Sequence, residues 1–164
     1  MKALAVHFVA PRRVELREVE LPQPSEGCAL VATEWSGISS GTELLAYRGE
    51  VDPDLPLDET LGALAGTFAY PFRYGYSAVG RVVRPAGPLR EGQLVFAFHP
   101  HQDRFVADAG ELTPVDGVEP RAAARSWTPQ SQRSDPSASP VRQPECSRTS
   151  RPSPSPISPW MNSR

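Results

Sequence analysis

Apolar and polar positions along residues 1–124 alternate in short segments cut by Gly and Pro, and this pattern predicts strands and tight turns. Lys2 to Val9 reads as a first, mostly apolar strand. Val14 to Leu21 alternates apolar and charged side chains with period two, which sets Val14, Leu16 and Val19 against a core with the charges in water. A slip in phase near Arg17 and Glu18 predicts a bulge there, and Pro22 and Pro24 end the strand. Cys28 to Trp35 is a third strand, followed by a Ser/Gly-rich turn from Ser36 to Gly41 and a short helix at Thr42 to Tyr47 that Thr42 is suited to cap. Val51 to Tyr70 is a long excursion with a brief helix around Glu59 to Ala65. Strands follow at Gly75 to Arg84, Gln93 to His99 and Arg104 to Ala107. The sum is a mainly β fold, a small antiparallel barrel or sandwich with short helices.

The pattern stops at Ala124. Residues 125–164 are rich in Ser, Pro and Arg, with Trp127, Ile157 and Trp160 among their few large apolar groups. Ordering each residue costs ~1–2 kcal/mol of backbone entropy, which so few buriable side chains do not offset, so a disordered tail is expected. The Arg-Pro-Ser-Pro-Ser-Pro stretch would suit polyproline II and a groove that binds it, or serve no partner at all.

Composition narrows the function classes. The chain has 164 residues with 39% hydrophobic, a ceiling of one ordinary core. A formal net charge of −2 gives no overall basic field for nucleic acid or an anionic membrane, which leaves small molecules as the expected partners. No apolar run approaches the ~20 residues that span a bilayer. Cys28 and Cys146 lie on opposite sides of the break, a usage that suits a reducing cytoplasm better than a disulfide framework.

Several motifs then fall in a telling order: MKALAV at the start, Ser36-Gly-Ile-Ser-Ser-Gly-Thr-Glu43, Tyr47-Arg-Gly49, Tyr74-Gly-Tyr-Ser-Ala-Val-Gly-Arg-Val-Val83, and Glu91-Gly-Gln-Leu-Val-Phe96. Arg104-Phe-Val-Ala107 and a closing Glu119-Pro-Arg-Ala-Ala-Ala124 complete the series. Residues 1–124 thereby resemble the N-terminal catalytic domain of the zinc-type medium-chain alcohol dehydrogenase superfamily. The resemblance implies a GroES-like, partly open antiparallel barrel and an NAD(P)-dependent oxidoreductase acting on a carbonyl or alcohol. The Ser-Gly-Ile-Ser-Ser-Gly-Thr-Glu form is similar to the branch that includes bacteriochlorophyllide dehydrogenases, which points toward a bulky cyclic substrate.

The departures from the family pattern are chemically large. Ser40, Tyr76 and Ser77 stand where the resemblance places the cysteine, histidine and glutamate of a catalytic zinc site. Neutral hydroxyls are poor zinc ligands, so no catalytic zinc is expected, and two distant cysteines exclude a structural zinc lobe. Hydroxyl donors can instead stabilise charge developing on a carbonyl oxygen. Ser40, Thr42 and Tyr76 are the candidates, with Thr42 at the family position whose hydroxyl relays the alcohol proton and Glu43 at that of a supporting acid. The alternatives are that Thr42 caps the helix, Ser39 and Ser40 serve a turn, Tyr76 fills the vacated metal cavity, and Glu43 is a surface carboxylate. Tyr47, Ser77 and His101 are candidate substrate-pocket residues. His99 and His101 would share one face of a regular strand, although Pro100 opposes that geometry and no third ligand beyond Asp103 is near. Phe68, Tyr70, Phe72 and Tyr74 alternate strictly, as core or as the wall of an apolar pocket.

The family's nucleotide site follows the barrel and needs a glycine-rich turn between strand and helix. No glycine occurs after Ala124, so this chain is expected to bind no NAD(P) and to be inactive alone, a truncated member of the superfamily. The abrupt switch is what an out-of-frame reading of a GC-rich gene gives; a natural tail on a stand-alone, ligand-binding barrel is the alternative.

Overall fold

The computed structural model describes residues 1–58 and 62–126. The expectations for the tail, for Cys146 and for residues 59–61 of the long excursion lie outside the described residues.

Strand β1 (Lys2–Ala10) runs antiparallel to β2 (Arg13–Glu20) as a two-stranded sheet. Between them Arg12 takes the left-handed conformation, φ 61°, and its N–H donates to the Tyr47 carbonyl. The register is continuous from Val14 to Glu20 and shifts between Phe8 and Ala10. The irregularity therefore belongs to β1 beside the turn, and the bulge expected near Arg17 and Glu18 is absent.

The expected burial of β2 is also corrected. Val14 is 47% exposed and Leu16 69%, while Val19 is half-buried. Period-two alternation identifies a strand, but a core face needs a second layer, and β2 is paired with β1 alone. Charge pairs decorate it, Arg17 and Arg13 both meeting Glu15 at 2.8 and 2.7 Å.

The larger sheet has five strands in the order β6-β3-β4-β5-β7, every neighbouring pair antiparallel. Its members are β3 (Cys28–Ser36), β4 (Ala78–Arg84), β5 (Leu94–Ala97), β6 (Arg104–Asp108) and β7 (Thr113–Pro114). The last is a two-residue edge strand that sequence patterning missed, because a strand ending in proline has little period to read. Strand β5 ends at Ala97, so His99 to His101 is loop.

Alternation along β4 and β5 gives the sheet two buried faces. On one, Val31, Val82, Val95 and Phe105 form an apolar core. On the other, Val79, Leu94 and Phe96 meet Val115 and the alanines of helix α2 (Pro120–Ser126). Each buried Val, Leu or Phe contributes roughly 1.5–3 kcal/mol, so these layers fix the sheet. Arg121 adds a cation–π contact, its guanidinium 5.8 Å from the Trp35 ring centroid.

A third cluster lies where β1 meets the excursion. Phe8 stacks on Phe72 with ring centroids 5.1 Å apart and planes 2° off parallel, and Phe68 meets both Phe72 and Tyr74. The backbones of Phe8 and Phe72 exchange two hydrogen bonds, at 2.9 and 3.0 Å. The alternating aromatics are core here: Phe68, Phe72 and Tyr74 are buried, and half-buried Tyr70 donates its hydroxyl to the Ala46 carbonyl at 2.6 Å. Ala46 lies on α1 (Thr42–Arg48), the helix expected after the Ser/Gly-rich turn. Among the described residues of the excursion a 3-10 turn spans Gly62–Leu64. The architecture is a mainly β, partly open GroES-like barrel with short helices. Among the described residues no helix is long and apolar enough to cross a membrane.

Candidate functional site

Four segments converge at one end of the larger sheet: the end of β3 at Ser36 and Gly37, the first turn of α1, the lead-in to β4 at Tyr74 to Ser77, and the loop after β5. At their centre is His101. Its own N–H donates to the Tyr74 carbonyl at 3.2 Å and its carbonyl accepts from the Val6 N–H at 2.9 Å, so the residue is held from both sides. The ring lies against Gly75, whose φ of +129° and whose approach to the imidazole exclude a side chain. A Cβ there would sit 2.8 Å from Nε2.

His101 has a partner at each ring nitrogen. Nε2 lies 3.0 Å from Glu43 Oε2, and Nδ1 meets the Ser36 hydroxyl in a short hydrogen bond. The Ser36 Oγ also lies 3.2 Å from the Ser77 carbonyl. Ser36 has one hydroxyl hydrogen and two acceptors in reach, so its rotor and the histidine tautomer are coupled. When Nδ1 is bare the hydroxyl donates to it, and when Nδ1 carries hydrogen the hydroxyl turns to Ser77.

Glu43 is 1% exposed, which removes the alternative of a surface carboxylate. The first turn of α1 faces inward at this position because Ala46, one turn on, packs into the aromatic cluster. Its second oxygen, Oε1, is buried with no hydrogen-bond partner among the described residues. Such an orphan acceptor costs ~1–3 kcal/mol. Tyr74 stands near by, its hydroxyl pushed up to about 12 by burial and further by Tyr76, Glu43 and Asp58. Tyr74 is therefore a neutral donor at ordinary pH.

The hydroxyls singled out in the sequence fall on the outer side of this centre. Ser40 and Thr42 are exposed, and no hydrogen bond among the described residues joins them to Tyr76. Thr42 does not cap its helix: Gly41 occupies that position with no side-chain cap bond, and the Ser39 hydroxyl accepts from the Gly41 N–H at 3.1 Å. Tyr76 is half-buried with its ring 6.2 Å from that of Tyr74, and Tyr47 packs on the same aromatic cluster. Ser77 is buried and donates to the Ala124 carbonyl at 2.7 Å. That carbonyl presses on Gly37, where a Cβ would lie 2.4 Å from it, so α2 is docked through its backbone onto the ends of β3 and β4.

His99 and His101 take different partners because their segment is loop. His99 stacks on Phe105 at 4.2 Å and its Nδ1 donates to the Pro100 carbonyl at 3.2 Å. Burial, with the nearby Arg73 charge, pushes its pKa down to about 4. Sequence reasoning found Glu43 and His101 separately and missed their pairing, which spans 58 positions. It missed Ser36 and Gly75 altogether. The one usable signal was their place inside the Ser36–Glu43 and Tyr74–Val83 motifs.

Zinc requires thiolate, imidazole or carboxylate. Among the described residues no three of His, Cys, Asp and Glu gather as a ligand set, and Ser40, Tyr76 and Ser77, which the resemblance sets at ligand positions, offer only hydroxyls. The residues do not fit the metal, and no step is routed through it. Nor do the described strands, all antiparallel, form the strand–helix–strand unit that cradles a dinucleotide.

No family model matches the chain. It is 34% identical over 132 residues to 2-desacetyl-2-hydroxyethyl bacteriochlorophyllide A dehydrogenase of Cereibacter sphaeroides, a match over 79% of this chain and 36% of that protein. Among solved structures it is similar to 2R,3R-butanediol dehydrogenase from Bacillus subtilis, with TM-score 0.57, 16% identity, and 74% of this chain against 43% of that one. It is also similar to acetophenone reductase from Geotrichum candidum in complex with NAD, with TM-score 0.53, 18% identity, and 75% of this chain against 43% of that one. The chain is similar to oxidoreductases of the medium-chain dehydrogenase/reductase superfamily, and its partly open β barrel has their GroES-like fold. Within that class it is similar to bacteriochlorophyllide dehydrogenase, of whose length it spans little more than a third.

Proposed function

We propose that residues 1–124 are the substrate-side domain of an NAD(P)-dependent oxidoreductase that acts in the cytoplasm on a carbonyl or alcohol of a bulky cyclic molecule. The observation that carries this reading is Glu43, a buried carboxyl paired with His101 at the position of the family's supporting acid. NAD(P), bound on a separate segment, would supply or accept the hydride. This chain's own residues divide the remaining work. Ser40, Thr42 and Tyr76 present hydroxyl donors toward the oxygen on which charge develops, in place of a Lewis acid. Glu43, His101 and Ser36 hold α1 and the β4 lead-in so that those donors keep their spacing. On this reading the nucleotide-binding part closes over Ser40 and Thr42, which are exposed here.

On this account residues 1–124 belong to one domain, and the chain alone transfers no hydride. The test has two arms. NADH and NADPH fluorescence should not change on titration with the chain. A chimera in which residues 1–124 replace the matching stretch of the Cereibacter sphaeroides relative should reduce or oxidise its substrate. Turnover by the chain alone, or a folded chimera that binds NADPH and is inert toward every carbonyl offered, would sink the proposal.

A second reading, a non-catalytic barrel that binds a ligand or partner, is favoured by the exposed apolar side chains Leu4, Val14 and Leu16 of the β1–β2 hairpin. An inert chimera together with saturable ligand binding by the chain would favour it.

A further inference from the structure

A cleft of about 270 Å³ opens beside the aromatic cluster, away from Glu43, and is lined by His7, Leu57, Thr67, Phe72 and Arg73 among others. It follows from the strict alternation of residues 72–74. Phe72 and Tyr74 turn into the core, which leaves Arg73 half-buried on the opposite side. One guanidinium nitrogen, Nη1, donates to Gln102 Oε1 at 3.3 Å. No carboxylate pairs with Arg73 among the described residues, in contrast to Arg13, Arg17, Arg81 and Arg104. Across the cleft His7 donates Nδ1 to the Ala5 carbonyl at 3.3 Å, and it brings no negative charge.

A half-buried, unpaired guanidinium is costly, and burial lowers the Arg73 pKa accordingly. The neutral amide of Gln102 satisfies one nitrogen and leaves the charge uncompensated. The remaining N–H groups form the fork geometry that matches a planar carboxylate. Liquid water takes ~30 Å³ per molecule, so the cleft has room for a carboxylate with a short carbon chain or one ring behind it. A phosphate dianion would find one firm charge, too little for its own.

We propose that this cleft is a carboxylate-binding subsite, with Arg73 as the anchoring cation and Phe72 and Leu57 as its apolar floor. The proposal stands on the cleft and its charge, and does not depend on the oxidoreductase reading. Because Arg73 precedes Tyr74 and Gly75, and Gln102 follows His101, an acid held here is joined through two short segments to the Glu43–His101 pair.

The test is NMR of the full chain with the Arg73 Nε–H followed during titration with benzoate, and separately with inorganic phosphate. The expected result is a saturable shift with benzoate, weakened at least tenfold in Arg73→Gln and several-fold in Arg73→Lys, which keeps the charge and loses the fork. Arg12→Gln, on an exposed turn, should leave it unchanged. Arg73→Lys also covers the case in which Arg73→Gln fails to fold. Absence of saturation, equal binding by the Arg73 variants, or tighter binding of phosphate than of benzoate would overturn the carboxylate assignment.

Discussion

The two halves of the candidate site stand in opposite environments. Glu43, His101 and Ser36 are joined by hydrogen bonds under a glycine that admits no side chain, whereas Ser40 and Thr42, next to Glu43 in sequence, are open to solvent. Residues adjacent in one motif therefore do different work. The buried half costs stability when broken, because its polar atoms have no water to fall back on. The exposed half is cheap to change and, on the proposed function, expensive only to chemistry.

The largest effect on folding is expected from His101→Ala, which leaves the Glu43 carboxyl buried without its imidazole. Loss of one member of a buried pair costs about 3–5 kcal/mol. Urea unfolding of the full chain should show this as a lowered midpoint, and Glu43→Ala should cost less in the His101→Ala background than alone. Equal costs in both backgrounds would mean that the two side chains are not coupled.

His99 provides a second imidazole two positions away, half-buried and without a carboxylate. Its folded pKa of about 4 lies below the ordinary value of 6.5, so the unfolded chain binds more protons between those limits. The stability that follows is fully present above pH 6.5 and is lost as the pH falls toward 4. A tenfold change in proton affinity is worth about 1.4 kcal/mol. Because the side chain keeps some contact with water, the loss is about 2 kcal/mol after solvent screening, and His99→Gln should flatten the profile over that window. An unchanged slope in the variant would assign the pH dependence elsewhere.

Gly75→Ala sharpens the comparison at smaller scale. A residue at φ +129° is strained by about 1–3 kcal/mol, and the new methyl must displace the His101 ring. The His101 ring resonances should move together with the drop in stability. A drop with those resonances unmoved would reduce the effect to backbone strain.

Much of the fold was legible because strands with intact alternation and glycine or proline at their ends carry their own punctuation. Strands β3, β4 and β6 and helix α1 are of this kind, with boundaries displaced by a few residues at most. What the pattern does not encode is which strand is covered. Val14-Glu-Leu16 and Leu94-Val-Phe96 each set two large apolar side chains on one face, yet only Leu94 and Phe96 meet a neighbouring layer. The same holds at the site. Motif order named Glu43 and the His99-Pro-His101 spacing drew attention to His101, but their hydrogen bond joins a helix to a loop 58 positions away, and no local signal records a partner so distant. The capping role expected of Thr42 failed for a local reason, since Gly41 already supplies the helix start.

The division between a buried support and exposed donors is tested most directly by hydride transfer in the chimera carrying residues 1–124, with Ser40→Ala and Thr42→Ala compared one at a time. Each variant should fold within about 0.5 kcal/mol of the parent, as exposed substitutions do. At least one should lower turnover on the order of a hundredfold, the usual loss of an oxyanion donor. Turnover unchanged by both would contradict the account, because the exposed hydroxyls would then have no part in the chemistry.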